Sequence, residues 1–223
     1  MDSVGIRSDE TSAPTQGNRV ERAPGRVVIE RVRPEMDGGR FPIKRTVGEQ
    51  VTVSAEIFAD GHDLLAGVVK YRGQVFSDPP AWQEVPLTAR GDDRWEGTFT
   101  VNELGEYEYT VEAWVDRFRS WLKDLIAKAD AGHDVSSELL EGAELIQAAV
   151  GSSFSRTDDN IRLLETADLL RRDAPQVARV WAARDPKLHA LMDARPDRSA
   201  STTYDRALRC VVDSIRARFG AWY

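Results

Sequence analysis

The chain has a single cysteine, Cys210, among its 223 residues, so no disulfide bond can form within it. None of the three histidines lies at a metal-ligand spacing from another histidine, cysteine or glutamate. No stretch approaches the length of apolar sequence that a transmembrane helix needs. Gly-rich phosphate loops and nucleophile elbows are also absent. These absences favour a cytoplasmic protein with no cofactor and no metal centre.

The chain also lacks a surplus of basic residues. It carries 30 basic and 37 acidic side chains, a net charge of −7. A protein that binds nucleic acid or an anionic membrane would show a basic patch, so this balance argues against both partners. Residues 1–24 are polar, and such a segment cannot bury enough apolar surface to offset its ordering entropy. They are predicted to form a disordered leader without the apolar stretch of a signal peptide.

From residue 25 to about residue 117, apolar side chains recur at every second position, the pattern of strands with one buried face. Turn-forming residues separate the runs, and no helical stretch intervenes, so we predict an antiparallel immunoglobulin-like β-sandwich. The alternation returns at 208–212, and a last strand-like run occupies 219–223. The predicted sandwich therefore comprises 25–117 plus 203–223. Because the last run stops at the final residue, we expect a continuation to be missing.

At Phe118 the apolar period changes to 3.6 residues, which is helical. The pattern predicts an inserted bundle of about four helices over 118–202, with a further short helix after Pro186. Ser136 or Ser137, and later Thr157, are the predicted N-caps. The fold class is thus α+β, a β-sandwich interrupted by helices. The predicted buried stripes are Phe118, Trp121, Leu122, Leu125, Ile126 and Ala129; Leu139, Leu140, Ala143, Ile146, Gln147 and Val150; Ile161, Leu164, Ala167 and Leu170; Val177, Val180 and Trp181.

The side chains that could take part in catalysis all have simpler structural explanations. Paired carboxylates could serve a glycosidase, but the available pairs occupy a turn and a first helical turn, which favour acidic residues anyway. The cysteine falls on an apolar strand face, where a buried inert thiol is expected. No catalytic or metal-binding residue is therefore predicted. The residues considered are Asp92, Asp93, Asp158, Asp159, Cys210, His62 and His133.

Two tryptophans are candidate binding residues. Trp114 lies on the polar face of its predicted strand, together with Glu108 and Glu112. Trp95, by contrast, falls on the same side of its strand as the predicted core residues. Trp82 lies in a Pro-rich loop. A tryptophan at such a position can be covered by another protein surface or can stack on a sugar. Cover by the helical insert or by a partner is the favoured interpretation, and sugar stacking and simple exposure stay open.

Three segments of the chain resemble the N-terminal part of the alpha-1,4-glucan:maltose-1-phosphate maltosyltransferases, a family of the alpha-amylase clan. The middle segment is the most specific, because it joins a strand pair directly to a helix. The segments are GRVVIERVRPEMDGGRFPIKRTVGEQVTVSAEIFADGHDLLAGVVKYR, RWEGTFTVNELGEYEYTVEAWVDRFRSWLKDLIAKADAGHDVSSELLEGA and the closing ARFGAWY.

The resemblance implies a β-sandwich N domain, a helical insert and, beyond them, a (β/α)8 catalytic barrel. In that family the first two parts contribute to a homodimer interface. The whole enzyme transfers maltosyl units from maltose 1-phosphate to the non-reducing ends of alpha-1,4-glucans, with retention of configuration. The catalytic carboxylates lie on the barrel, so none is carried over to this chain.

We therefore expect a non-catalytic assembly and dimerisation region that is inactive alone. Its expected partners are a second copy and the missing barrel. The alternative is a stand-alone module that binds alpha-glucan through Trp82 or Trp114.

Overall fold

The computed structural model describes residues 27–73, 81–151 and 157–216. The leader predicted at 1–24 and the strand-like run at 219–223 lie outside these ranges. The described residues form eight strands, then five helices, then two more strands. The strands are β1 (Val28–Arg33), β2 (Ile43–Thr46), β3 (Gln50–Phe58), β4 (Leu65–Gly73), β5 (Gln83–Pro86), β6 (Thr88–Gly91), β7 (Arg94–Thr100), β8 (Gly105–Val115), β9 (Thr202–Thr203) and β10 (Leu208–Asp213). The helices are α1 (Arg117–Asp130), α2 (Ser136–Val150), α3 (Asp158–Arg171), α4 (Gln176–Ala183) and α5 (Pro186–Asp193).

The strands form two sheets that pack face to face. One sheet has the order β1-β3-β7-β6, and the other has the order β2-β10-β8-β4-β5, with β9 also paired to β8. Side chains alternate across each strand, so one face of each sheet contributes to a shared hydrophobic core. At the contact between sheets, a Cβ on Gly97 would lie 2.9 Å from a methyl carbon of Val69, which leaves no room for a larger residue.

The predicted alternation is confirmed on the inner face of the sandwich. Val51 and Val53 of β3 and Tyr109 of β8 are fully buried. Trp95, expected in the core, is half-buried, and its Nε1 donates to the backbone oxygen of Ile57 at 3.2 Å. Cys210 is buried as predicted, and burial raises the pKa of its thiol to about 11. This thiol stays protonated at neutral pH.

One pairing was not predicted. Strand β2 runs parallel to β10, in a register that places Ile43 beside Cys210. Every other strand pair in the described part of the chain is antiparallel. A strand of four residues is too short for its sequence period to reveal it, and parallel pairing with a strand far along the chain has no local signature.

The five helices (the helical unit) surround a second hydrophobic core of their own. The stripe predicted for α1 is confirmed, with Phe118 and Leu125 buried. The predicted cap at Thr157 is also observed, because its hydroxyl accepts the backbone N–H of Asn160. By contrast, the predicted cap at Ser136 or Ser137 is wrong, because α2 begins at Ser136 itself. The amide of the preceding Val135 donates to the side-chain oxygen of Gln176 at 3.1 Å. None of the described helices is long and apolar enough to cross a membrane.

Two predicted stripes are correct only in part, because Leu170 of α3 and Val180 of α4 are buried as predicted but other members of the stripes are not. In α3, Leu163 is buried, whereas Ile161 and Leu164 are exposed. In α4, Val177 and Trp181 are 68% and 70% exposed, although both were predicted to face the core. A helix rich in apolar residues offers more than one apolar face, and only its packing partners decide which face is buried.

The close approach of α1 and α2 generates a stability prediction. A Cβ on Gly142 would overlap with the indole ring of Trp121, whose Nε1 donates to the backbone oxygen of Glu138 at 2.6 Å. We expect Gly142→Ala to lower the free energy of unfolding by about 1–3 kcal/mol, because overpacking forces the two helices apart. Urea denaturation followed by circular dichroism measures the change.

A double variant provides the control. Phenylalanine lacks the outer part of the indole ring. In a Trp121→Phe background, Gly142→Ala should therefore lower the free energy of unfolding by less than it does in the parent chain. An equal cost in both backgrounds would show that the overlap with the ring is not the cause.

Candidate functional site

The outer face of the second sheet carries a row of ion pairs beside the two candidate tryptophans. Strand alternation places Glu108 and Glu112 of β8 on this face. Lys70 donates to Glu112 at 3.0 Å, and Arg72 donates its Nε and Nη2 to one oxygen of Glu108 at 2.9 and 2.6 Å. Cross-strand pairs of opposite charge stabilise a sheet, so the first role of this row is to hold β4 against β8.

Trp82, immediately before β5, is half-buried. The guanidinium carbon of Arg72 lies 4.4 Å from the centre of its ring, which is a cation–π contact. Because Arg72 is also bound to Glu108, its position over the ring is supported from the sheet. One face of this tryptophan is therefore occupied by a cation.

Trp114, at the end of β8, is only 6% exposed. The guanidinium carbon of Arg198 lies 4.3 Å from the centre of its ring. Arg198 also donates two hydrogen bonds to the carboxylate of Glu84 at 2.8 and 2.9 Å, and its Nη1 is 3.9 Å from Glu112. Arg198 belongs to the segment between α5 and β9 (residues 194–201, here called the strap), so the chain itself covers Trp114.

The charges around Arg198 stabilise one another. Hydrogen bonds from Arg198 hold the pKa of the Glu84 carboxyl below its ordinary value. Burial acts to raise the pKa of Glu112, but hydrogen bonds from Lys70 and Ser201 outweigh it, so that this pKa is also lowered. The pKa of Arg198 is raised, chiefly by its hydrogen bonds to Glu84. All three groups are therefore charged at neutral pH.

Two cavities adjoin Trp114 where the sandwich meets the helical unit. The larger, of about 1260 Å³, lies between the start of β4 and helix α2, and the smaller has about 510 Å³. Both are lined by Trp114 and by Asp197 of the strap. The residues that line the larger include the apolar Leu65 and Leu140 and carboxylates such as Glu144. A cleft of this kind can accommodate a ligand or a protein segment.

The other residues weighed from the sequence are not brought together. Asp92 and Asp93 occupy the turn before β7, with positive φ angles of 49° and 58°. The Asp158-Asp159 pair lies in the first turn of α3. His62 and His133 are exposed. Within the described ranges, no group of three or more His, Cys, Asp or Glu side chains is placed to hold a metal ion.

Sequence reasoning missed Arg198, the residue that organises the outer face. It lies in a short polar stretch between α5 and β9 that shows neither a strand nor a helix period. Its partner Glu84 is 114 positions away in the chain. The sequence around a loop arginine does not indicate which residue the arginine will bind. Only an alignment of related sequences in which the two positions vary together could have revealed this contact.

The chain was compared with known proteins. A family model described as alpha-1,4-glucan:maltose-1-phosphate maltosyltransferase, domain N/S, matches residues 25–214. The maltosyltransferase of Myxococcus xanthus is 45% identical over 202 residues, which is 89% of this chain and 30% of the relative. The one from Chlorobaculum tepidum is 40% identical over 211 residues, 95% of this chain and 31% of the relative. The chain thus spans about 30% of the length of these curated relatives.

The lowered carboxyl pKa values generate a pH prediction. A group whose pKa is lower in the folded state stabilises the fold above its unfolded pKa, and loses this effect as the pH falls through the folded value. We expect Glu84→Gln to lower the free energy of unfolding at neutral pH, and the difference from the parent chain to shrink below about pH 4. Urea denaturation over a range of pH measures this difference.

Glu141→Gln is the control for this experiment, because Glu141 is exposed and is not one of the carboxylates that Arg198 contacts. A Glu84→Gln difference that stays constant down to the lowest pH would contradict the assigned role of the Arg198 hydrogen bonds.

Proposed function

Because the chain belongs to the alpha-1,4-glucan:maltose-1-phosphate maltosyltransferase domain N/S family, we propose that it is the non-catalytic N-terminal assembly region of such an enzyme. The enzyme transfers maltosyl units from maltose 1-phosphate to the non-reducing ends of alpha-1,4-glucans with retention of configuration. Its catalytic barrel lies in the part of the relatives that this chain does not cover. The region works in the cytoplasm, where it packs against the barrel and against a second copy of itself.

The observation that carries this proposal is the extent of the family match. Residues 25–214 include every described element from β1 to β10, so both the sandwich and the helical unit belong to the matched region. The separate hydrophobic cores of the two parts support a division into an immunoglobulin-like sandwich (25–117 plus 203–223) and an inserted helical bundle (118–202). A division of this kind suits a region whose role is to present surfaces to neighbouring parts.

Exposed apolar side chains support self-association into a homodimer. On the helical unit, Val177 and Trp181, which lie four positions apart on α4, are 68% and 70% exposed. Adjacent large apolar side chains that are left in water commonly mark interaction surfaces. A specific dimer typically buries about 800 Å² on each partner.

The two tryptophans favour assembly over glucan binding. A sugar stacks on an open aromatic face, whereas Trp82 and Trp114 each carry a guanidinium group over one face of the ring. Trp114 is in addition almost completely buried. Sugar stacking on Trp114 requires Arg198 to leave first, so this ring is not a free platform for a sugar.

The proposal predicts self-association. In sedimentation velocity, we expect a concentration-dependent dimer in the range of tens of micromolar, and a weaker dimer for Trp181→Ser because the exposed α4 surface becomes more polar. Leu104→Ser, at another exposed apolar position (53% exposed, before β8), is the control. A chain that stays monomeric at every concentration would count against the assembly role.

The proposal also predicts that the chain neither binds glucan nor performs catalysis. We expect no heat on titration with maltoheptaose, and no phosphate release from maltose 1-phosphate in the presence of glycogen. Heat that disappears in Trp82→Ala would instead support the glucan-binding alternative. Phosphate release by the purified chain would overturn the non-catalytic assignment.

A further inference from the structure

The sandwich and the helical unit are packed as two bodies with a cleft between them. Each has its own hydrophobic core, and in the described part of the chain no buried core residue is shared. Trp114 is buried, yet it belongs to neither core, and both cavities lie against it. Parts of a chain that are not joined by a large apolar interface move relative to each other by default.

The sandwich and the helical unit are firmly joined at one place, the junction between β8 and α1. Strand β8 ends at Val115 and α1 begins at Arg117, so a single residue, Asp116, separates them. The amide of Asp116 donates to the backbone oxygen of Leu64 at 2.8 Å, and the amide of Leu64 donates to the hydroxyl of Ser120 at 2.7 Å. These bonds surround the β8–α1 junction and leave it little freedom except rotation.

The second covalent connection is the strap, which is anchored at its middle. Arg198 fastens it to the sheet through Glu84 and the ring of Trp114. With this anchor in place, only residues 194–197 connect the end of α5 to a fixed point. Without it, the next contact of the strap with the sheet is the hydrogen bond between Ser201 and Glu112, so the free tether gains three residues and a reach of roughly 10 Å.

We propose that the helical unit rotates relative to the sandwich about the β8–α1 junction, and that Arg198 is the latch that keeps the cleft closed. The latch is partly exposed, with 29% of the Arg198 side chain and 36% of the Glu84 side chain accessible to solvent. Because water and salt reach the pair at this exposure, high salt weakens it, and the latch can open without unfolding either core. Opening uncovers the ring of Trp114 and widens the cleft.

This inference is independent of self-association. It depends only on the two cores, the cleft and the contacts of the strap, all of which lie within one copy. A monomeric chain would therefore weaken the proposed function and leave the hinge intact.

Distance measurements between spin labels test the proposal. Labels at Thr88→Cys on the sandwich and Glu144→Cys on α2 report on the cleft, in a chain in which Cys210→Ala removes the native thiol. Both positions are exposed. We expect a narrow distance distribution in the parent chain, and a broader distribution shifted to longer distances in Arg198→Ala. About 1 M salt should move the parent chain in the same direction, because screening then extends over only about 3 Å.

Arg72→Ala is the matched control. Arg72 covers a tryptophan and binds a carboxylate just as Arg198 does, but all its partners belong to the sheet. We expect it to leave the distribution unchanged. A second label pair, at Glu144→Cys and Asp173→Cys within the helical unit, should be unaffected in every variant.

Two results would overturn the proposal. One is a distance distribution in Arg198→Ala that matches the parent chain. The other is broadening of the pair within the helical unit, since that would mean partial unfolding of the helices in place of rotation about the junction.

Discussion

Strand β8 is the constraint on which the other elements depend. Its eleven residues pair with β10, β9 and β4, and it continues into α1 after one residue. Strand alternation gives it two different faces. The inner face, with Tyr109 and Val111, builds the sandwich core, and the outer face, with Glu112 and Trp114, binds the charged side chains that fasten the strap. The position of the helices therefore follows from the direction in which β8 ends.

The outer face shows how a sheet can use tryptophan without offering it to a ligand. Each ring is paired with an arginine, and each arginine is paired with a carboxylate of the same sheet. The aromatic face attracts the cation, and the carboxylate fixes the cation in place. Such triads are small and partly polar, features that would suit the assembly role that we propose.

A sandwich and a helical unit with separate cores can each stay folded while their mutual orientation changes. In the assembly role that we propose, this property would let the region adjust to the neighbours that it contacts. The exposed side chains of α4 and the cleft beside Trp114 are the surfaces that such an adjustment would move.

The sequence alone determined the kind and order of the elements and the family. Alternation identified β3, β7 and β8, the 3.6-residue period located the helices, and the quoted segments indicated the maltosyltransferase family. These features are recorded in neighbouring residues, because the side-chain period of a strand or helix repeats within a few positions. Burial of Cys210 and the cap at Thr157 were predictable for the same reason.

Only the tertiary structure decided which faces are covered and which distant residues meet. Ile161, Val177 and Trp181 were assigned to the core because they are apolar, yet the packing partners of α3 and α4 lie on other sides. The parallel pairing of β2 with β10 and the contact of Arg198 with Trp114 join residues far apart in the chain. Such contacts depend on where whole elements are placed in space, and a local pattern of residues carries no record of that placement.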